Sequence, residues 1–426
     1  MFDESREKEN NMSSAPPVSP PAPPSNGKVR AQQTVRARQT GNASAPVPYK
    51  DSDAHALWAV VSVTLGILVA ILGFLAVMMS IDAHNAKNAA NRAAAQATKA
   101  ASGLMPGMDM SPSASAGALT SFAGATPANG DALAAAHKPY PAALPTAPAG
   151  PVADVHLVLS DVDTQIAPGV KYAAWAWAGG APGPVIHVRQ GQLVKITLTN
   201  KGAIPHSVDF HAARIAPNKA FGDVFPGKSV SYTFRANDAG VFMYHCGTKP
   251  VLMHIANGMY GAIVVEPRPG VLPKADKNYV LVAGEWYLDS DGLSKPAQFN
   301  MSKAHARQPD WMTFNGYAGQ YVKHPLTAKP GELVRFWVVD AGPSLDTDFH
   351  IVGTILNTAY AFGDMNPSDA LHNVQTVTVP AGGGGVFDVK IDEPGLYPFV
   401  SHAFAAVDQG QVGLLNVGNV KGTMSH

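Results

Sequence analysis

The chain contains a single cysteine, and residues that commonly bind metals lie close to it in the sequence. Cys246 begins the stretch CGTKPVLMHIANGM, which also contains His254 and Met259, so three candidate ligands share what reads as one loop. His206 lies farther back, in PHSVDFH, and would have to come from a separate strand. Two imidazoles, a thiolate and a weak thioether form the ligand set of a blue-copper electron-transfer site. These residues therefore predict such a site, and the alternative is a buried thiol beside unrelated histidines.

The residue before the cysteine is also a histidine, and adjacent residues of an extended strand point to opposite faces. If Cys246 faces the interior, His245 must face outwards. His206 and His211 are separated by an odd number of positions, so an extended segment would also place them on opposite sides. His211 and His245 would then share an outer face. This predicts a second metal site joined to the first by one peptide bond, and a pair of ordinary surface histidines is the alternative.

The overall composition narrows the class of protein. Lysine and arginine total 31, and so do aspartate and glutamate. The chain therefore lacks the excess of basic residues that would indicate a nucleic-acid partner. Charged residues make up only 15%, beside 40 glycines and 35 prolines, which suits a turn-rich β protein with a low-complexity portion. The length of 426 residues predicts two or three domains. One cysteine cannot form an intramolecular disulfide, so it carries no information about the compartment.

The N-terminal part of the chain differs in amino-acid composition from the rest. Residues 1–55 contain SSAPPVSPPAPPSNG and are predicted to be a disordered tail. Residues 56–81 are apolar and free of charge, which predicts a single transmembrane helix rather than a signal peptide or a buried helix. Lysine and arginine are more numerous before this span than shortly after it, which favours an extracytoplasmic location for the rest of the chain.

The composition of residues 82–150 predicts a linker that is first helical and then flexible and of low complexity. Its clustered methionines are either incidental or a Cu(I) site: Met105, Met108 and Met110.

From about Val152 onwards, short runs of alternating apolar residues are separated by glycine, proline and asparagine. Examples are LVKITLTN, SVSYTFRA and LVRFWVVD. No long helical period interrupts them, so the pattern predicts an all-β fold built from antiparallel sandwiches. About 270 residues are too many for one small sandwich and suit two.

The two halves of this β region resemble each other. VDFH at 208–211 is matched by TDFH at 347–350. AGVFMYH, which ends at His245, is matched by PGLYPFVSH, which ends at His402. We therefore predict an internal duplication. The predicted domains are 151–270, which carries the cysteine, and 271–420. A catalytic copper needs more than two imidazoles, and His402 is the candidate for a third, which another subunit could contribute.

These motifs resemble those of copper-containing nitrite reductases of the two-domain cupredoxin type, within the multicopper oxidase superfamily. The resemblance covers about residues 160–420 and rests on PHSVDFHA, YHC, HIANGMYGAIVV, GEWYL, DFHIVG and VSH. It implies two tandem cupredoxin-like Greek-key β-sandwich domains, a homotrimer and a role in denitrification. A type 1 copper would accept electrons from a small redox protein, either a cupredoxin or a cytochrome c. A type 2 copper between subunits would reduce nitrite to nitric oxide.

The resemblance also implies a role for individual residues. It makes Asp209 and His350 catalytic, because the leaving oxygen of nitrite must be protonated before the N–O bond breaks. Without it, Asp209 reads equally well as a turn carboxylate and His350 as a core histidine. Val352 stands where the family has an isoleucine that shapes the substrate pocket. The implied type 1 ligands are His206, Cys246, His254 and Met259. The implied type 2 ligands are His211 and His245 of one subunit and His402 of its neighbour.

The sequence also leaves two other classes of function as alternatives. An oxygen-reducing two-domain multicopper oxidase needs a trinuclear cluster built from His-x-His pairs, but Gly247 follows Cys246 and HSVDFH contains no such pair. A non-enzymatic, membrane-tethered electron carrier would keep only the type 1 copper and make His211, His350 and His402 incidental. Copper content separates the three classes, because the reductase needs two ions per subunit, the oxidase four and the carrier one.

Overall fold

The structure is a computed structural model that describes residues 122–422, most of which lie in β-strands. The predicted tail (1–55), the predicted span (56–81) and the part of the predicted linker up to residue 121, with its three methionines, lie outside the described residues. Among the helices of residues 122–422, none is long and apolar enough to cross a membrane.

The first domain consists of two sheets with a few short helices. Its strands are β1 (Val152–Ala167), β2 (Val170–Trp177), β3 (Ile186–Arg189), β4 (Leu193–Asn200), β5 (Asp209–Phe210), β6 (Ser229–Arg235), β7 (Gly240–His245) and β8 (Tyr260–Glu266). One sheet has the order β2-β1-β4-β6 and the other β3-β8-β7-β5. The helices up to this point are α1 (Gly130–Ala136), α2 (Pro217–Ala220) and α3 (Val251–Ala256).

The second domain repeats this design with extra strands at the sheet edges. Its strands are β9 (Lys277–Trp286), β10 (Trp311–Phe314), β11 (Leu326–Ala328), β12 (Leu333–Asp340), β13 (Thr347–Ile351), β14 (Leu356–Tyr360), β15 (Leu371–Val374), β16 (Thr376–Val379), β17 (Gly384–Lys390), β18 (Gly395–Ser401) and β19 (Val412–Val417). The sheet orders are β10-β9-β12-β17-β14-β15 and β11-β19-β18-β13-β16. The helices are α4 (Met301–His305), α5 (Gln320–Lys323), α6 (Phe404–Asp408) and a 3₁₀ turn at Pro367–Asp369.

The alternating pattern predicted antiparallel sandwiches, and this prediction is wrong for four pairs of strands, which run parallel. β1 and β4 run parallel, as do β3 and β8, and the second domain repeats both pairings with β9 and β12 and with β11 and β19. Each parallel pair is separated in the chain by other strands, which gives the connection enough length to return in the same direction. By position in the sheets, β5 corresponds to β13 and β7 to β18. The two DFH motifs therefore lie on equivalent strands.

The cores follow from the alternation that was visible in the sequence. In β4, Val194, Ile196 and Leu198 are fully buried, while the residues between them are not, because successive side chains of a strand point to opposite faces. The core of the first domain also includes Cys246 and Met259, so the candidate ligands are part of the packed interior.

The two domains share a third apolar cluster. Val241 and Met243 of β7 pack there with Val280 of β9 and Trp337 of β12. Next to this cluster, a loop of the second domain approaches Gly240 so closely that a Cβ atom would lie 1.7 Å from the carbonyl oxygen of Gly363. Only glycine fits this approach, which fixes the start of β7 against the second domain.

The segment 138–150, which we name the strap, differs from the flexible linker that its composition predicts. Its first part pairs with β9 of the second domain, where the Val280 N–H donates to the carbonyl of Ala142 at 2.7 Å. Its last part lies on the first domain, where Arg189 donates to the carbonyl of Pro148 at 2.6 Å. Proline lacks a backbone donor but keeps its acceptor, so donors on the two domains can hold a proline-rich segment in place.

A buried carboxyl group lies at the end of β12. Asp340 is 2% exposed, and the N–H of Gly342 donates to one of its oxygens at 2.7 Å. The other oxygen has no hydrogen-bond partner among residues 122–422. Burial raises the pKa of Asp340 to about 8, because the charged form would be desolvated. The folded protein therefore holds this group as a neutral acid at neutral pH.

We expect Asp340 to lower the free energy of unfolding as the pH rises from about 4 towards 8, because the folded state binds this proton more tightly than the unfolded chain does. The loss is at most about 1.4 kcal/mol for each pH unit in that window. Asp340→Asn resembles the neutral acid in shape and should make the dependence shallower in urea unfolding at several pH values. Asp392→Asn, at an exposed carboxylate, is the control. Identical pH dependence in wild type and D340N would contradict the expectation.

Candidate metal centres

The predicted ligands around the cysteine form one buried cluster. The Nδ1 atoms of His206 and His254 are 3.0 Å apart, and the Sγ of Cys246 lies 3.3 Å from His254 Nδ1 and 3.9 Å from His206 Nδ1. All three side chains are at most 1% exposed. Three donor atoms thus converge on one point in the dry interior, which is the geometry of a metal site.

Different elements bring these residues together. His206 follows β4 and pairs with Val224 through backbone hydrogen bonds of 3.1 and 2.7 Å. Cys246 directly follows β7, and His254 lies in α3. Met259 is fully buried, and its carbonyl accepts the Cys246 N–H at 3.1 Å, so the loop that leaves the cysteine returns to it.

The chemistry of this cluster suits a soft metal ion. Burial raises the pKa of the Cys246 thiol, although N–H and hydroxyl donors from Ser207 and Thr248 oppose the shift. Burial also lowers the pKa of His206 and of His254 to about 4, so both imidazoles are neutral. The cluster is therefore uncharged without metal, and a bound ion would displace the thiol proton. One sulfur and two nitrogen donors fit copper.

Trp175 is a neighbour of this cluster that the sequence did not reveal as a site residue. Its ring lies 5.2 Å from that of His206 and 4.8 Å from that of His254, and it is partly exposed. It therefore separates both histidines from solvent. In the sequence it is only one of the two tryptophans of a WAW motif, with no metal ligand beside it.

A second cluster lies on the outer face of the same sheet. The Nε2 atoms of His211 and His245 are 3.0 Å apart, and Oδ2 of Asp209 lies 3.9 Å from His245 Nε2. Asp209 faces His245 directly across the pair of strands β5 and β7. His211 is exposed, whereas the other two are partly buried. His245 and Cys246 thus lie in different clusters, as strand alternation predicts.

Hydrogen bonds define which nitrogens of this outer pair can bind a metal. Nδ1 of His245 faces the carbonyl of Cys246 at 2.9 Å, and Nδ1 of His211 faces the carbonyl of Gly382 at 2.9 Å. A carbonyl only accepts, so each Nδ1 must carry a proton, and in a neutral ring Nε2 then offers a lone pair. Burial lowers the pKa of His245, which disfavours a proton between the rings. Two lone pairs that face each other at this distance fit a cation between them.

The remaining predicted residues lie together on the second domain. His350 and His402 have ring centroids 5.2 Å apart, and Nδ1 of His350 faces the carbonyl of Gln375 at 2.7 Å. Val352 is 39% exposed and Phe404, beside His402, is 54% exposed. Among residues 122–422 of one chain, neither histidine belongs to the metal-binding group of Asp209, His211 and His245.

Comparison with known proteins identifies relatives of this chain in sequence and in fold. A model of the multicopper oxidase family matches residues 159–270. The copper-containing nitrite reductase of Neisseria gonorrhoeae is 41% identical over 255 residues, which cover 58% of this chain and 64% of that protein. The copper-containing nitrite reductase of Pseudomonas chlororaphis is 30% identical over 255 residues, which cover 55% of this chain and 69% of that protein. The structure of a copper nitrite reductase from Nitrosomonas europaea matches with a TM-score of 0.59 and 33% identity, over 63% of this chain and 94% of that one.

The chain belongs to the family of copper-containing nitrite reductases. It spans 64% of the length of the Neisseria gonorrhoeae relative. The predicted all-β, cupredoxin-like fold is confirmed. Membership of this family implies copper of the type 1 and type 2 kinds, and the buried cluster offers the histidine and cysteine donors that type 1 copper needs.

Replacing Cys246 by alanine should remove copper from the buried cluster and with it the visible absorption of a copper–thiolate bond, while the outer cluster keeps its metal. Absorption spectra and copper content per chain measure this. Met243→Leu is a matched control, because Met243 is a buried residue of β7, the strand that leads to Cys246, and lies outside the cluster, and because leucine nearly conserves its volume. A copper–thiolate band that persists in C246A would refute the assignment.

Proposed function

We propose that this protein reduces nitrite to nitric oxide, with type 1 copper passing electrons to type 2 copper. The observation that carries the proposal is the contact between the two clusters at adjacent residues. Cys246 belongs to the buried cluster and His245 to the outer one, so one peptide bond and the hydrogen bond from His245 to the Cys246 carbonyl join them. A simple electron carrier would need only the buried cluster. The outer cluster, with its carboxylate, favours an enzyme.

The chain's own groups account for the protons of the reaction. One nitrite ion, one electron and two protons give nitric oxide and water. Copper, when bound, supplies a Lewis acid and the electron. Asp209 lies beside the free Nε2 atoms of the outer pair and is partly exposed, so it is placed to hand a proton to the leaving oxygen. His350 keeps its Nε2 free because its Nδ1 donates to Gln375, and it would act as the second proton-carrying group. Val352, two residues after His350 in the chain, would line the substrate pocket.

The catalytic centre is completed, in this proposal, by a neighbouring subunit in a homotrimer. His211 and His245 offer two ligands, and His402 of the next subunit offers the third. His402 is exposed, and so are the apolar side chains Phe404 and Val352. Exposed apolar side chains of this kind suit an interface between subunits. A head-to-tail contact between two different faces closes into a ring when repeated around an axis.

The electron donor and the location belong to the same proposal. A small redox protein, either a cupredoxin or a cytochrome c, would reduce the type 1 copper. The charge-free segment 56–81 would anchor the chain in a membrane as a single-pass protein with extracytoplasmic catalytic domains. Tethering would raise the effective concentration of the reductase near membrane-bound electron sources.

Asp209→Asn should keep both metals but lower nitrite-dependent nitric oxide formation by about 10²- to 10⁴-fold, because the amide cannot supply the proton. Steady-state kinetics and copper analysis measure this. Asp238→Asn is a matched control, since Asp238 is another aspartate of the first domain and pairs with Arg214 instead of the histidines. Turnover that is unchanged in D209N would remove Asp209 from the mechanism.

Mixing two inactive variants tests the shared site. His211→Ala and His402→Ala should each abolish turnover, but trimers assembled from both should contain some sites with every ligand intact. Random mixing predicts recovery of about a quarter of wild-type activity, because each site draws on two subunits of a ring. Refolded or co-expressed mixtures are compared with each variant alone. No recovery in mixtures that form trimers would show that the ligands come from one chain.

A further inference from the structure

The outer cluster of the first domain has a counterpart at the equivalent positions of the second domain. Asp209 in β5 lies opposite His245 at the end of β7. In the equivalent strands β13 and β18, Phe349 pairs with Ser401, so the residue before Phe349 lies opposite the one after Ser401. That residue is Asp348. Its carbonyl accepts the N–H of His402 at 2.6 Å.

The histidine pairs of the two domains also match. The rings of His211 and His245 are 5.0 Å apart at 87°, and those of His350 and His402 are 5.2 Å apart at 75°. In each pair the histidine of the DFH motif turns its Nδ1 towards a backbone carbonyl. The duplication has therefore preserved an Asp-His-His arrangement in the second domain, of which Asp348 is the acid.

The two aspartates differ in one respect. β5 is the edge of its sheet, whereas β16 covers the corresponding side of β13. Thr378 of β16 donates its hydroxyl to Oδ1 of Asp348 at 2.6 Å. This hydrogen bond holds the Asp348 carboxylate on the strand face that also carries His350, two residues or about 6.6 Å further on. The Asp348 side chain is thus held in position, whereas no hydrogen bond holds the Asp209 side chain among the described residues.

We propose that Asp348 is a second carboxylate of the nitrite site, contributed with His350 and His402 by the neighbouring subunit, and that its charge sets the affinity for nitrite. The inference rests on the proposed function. Nitrite is an anion, so a carboxylate at an assumed separation of roughly 8 Å would oppose its binding by about two- to thirtyfold, depending on the local dielectric. Such a charge acts on bound nitrite and on the transition state alike, so it raises KM without changing kcat.

Asp348→Asn tests this without removing any predicted ligand. The Kd of nitrite for the oxidised protein, measured by calorimetry without an electron donor, should fall by about two- to thirtyfold, and KM should fall with it. The kcat should stay within about twofold, unlike that of D209N. The difference between wild type and D348N should shrink as salt rises from about 0.01 M to about 1 M, because the Debye length falls from about 30 Å to about 3 Å.

Two further variants separate charge from structure. Asp348→Glu keeps the charge and should retain a KM near that of wild type. Thr378→Val removes the hydrogen bond but keeps the charge, so its effect on KM should be much smaller than that of D348N. An unchanged Kd in D348N, a salt-independent difference, or a T378V variant that reproduces D348N would overturn the role of Asp348. A wild-type protein that neither binds nor reduces nitrite would instead overturn the proposed function.

Discussion

The structure depends on a constraint that operates at one peptide bond. Successive side chains at the end of β7 leave the strand on opposite faces, which sends Cys246 into the core and His245 outwards. The buried cluster gains a dry pocket in which imidazoles are neutral. The outer cluster remains open to solvent. A helix could not separate two neighbouring residues in this way, because adjacent positions on a helix are only 100° apart.

The two domains carry equivalent arrangements of side chains on one repeated scaffold. Equivalent strands of both domains present an aspartate and two histidines with nearly the same ring geometry. Only the first domain adds the cysteine, and with it the buried cluster. The second domain instead adds β16, which covers the edge beside the DFH strand. In the proposed homotrimer, the arrangement of one domain would meet that of the other domain across a contact between subunits.

Much of this was visible in the sequence, because strands and ligand sets follow local rules. The alternation in LVKITLTN and the spacing around Cys246 depend on residues that are close in the chain. The features that were missed depend on distant contacts. The strap reads as a linker because its prolines and alanines bury little, yet Arg189 and β9 satisfy its carbonyls. Trp175 matters only because two histidines from other elements lie against it. Asp348 was present in the TDFH repeat, but its position opposite His402 required the strand register.

The strap also determines how the domains respond to mechanical load. Tension on the chain N-terminal to the strap would first load the contacts of residues 122–137, such as the bond from the Ala123 N–H to the Asp408 carbonyl, and then the strap itself. Because the strap is hydrogen-bonded first to β9 and then to the strand that carries Arg189, tension would be shared by both sandwiches along a row of bonds. Separating one domain from the other would therefore require the strap to detach from at least one of them.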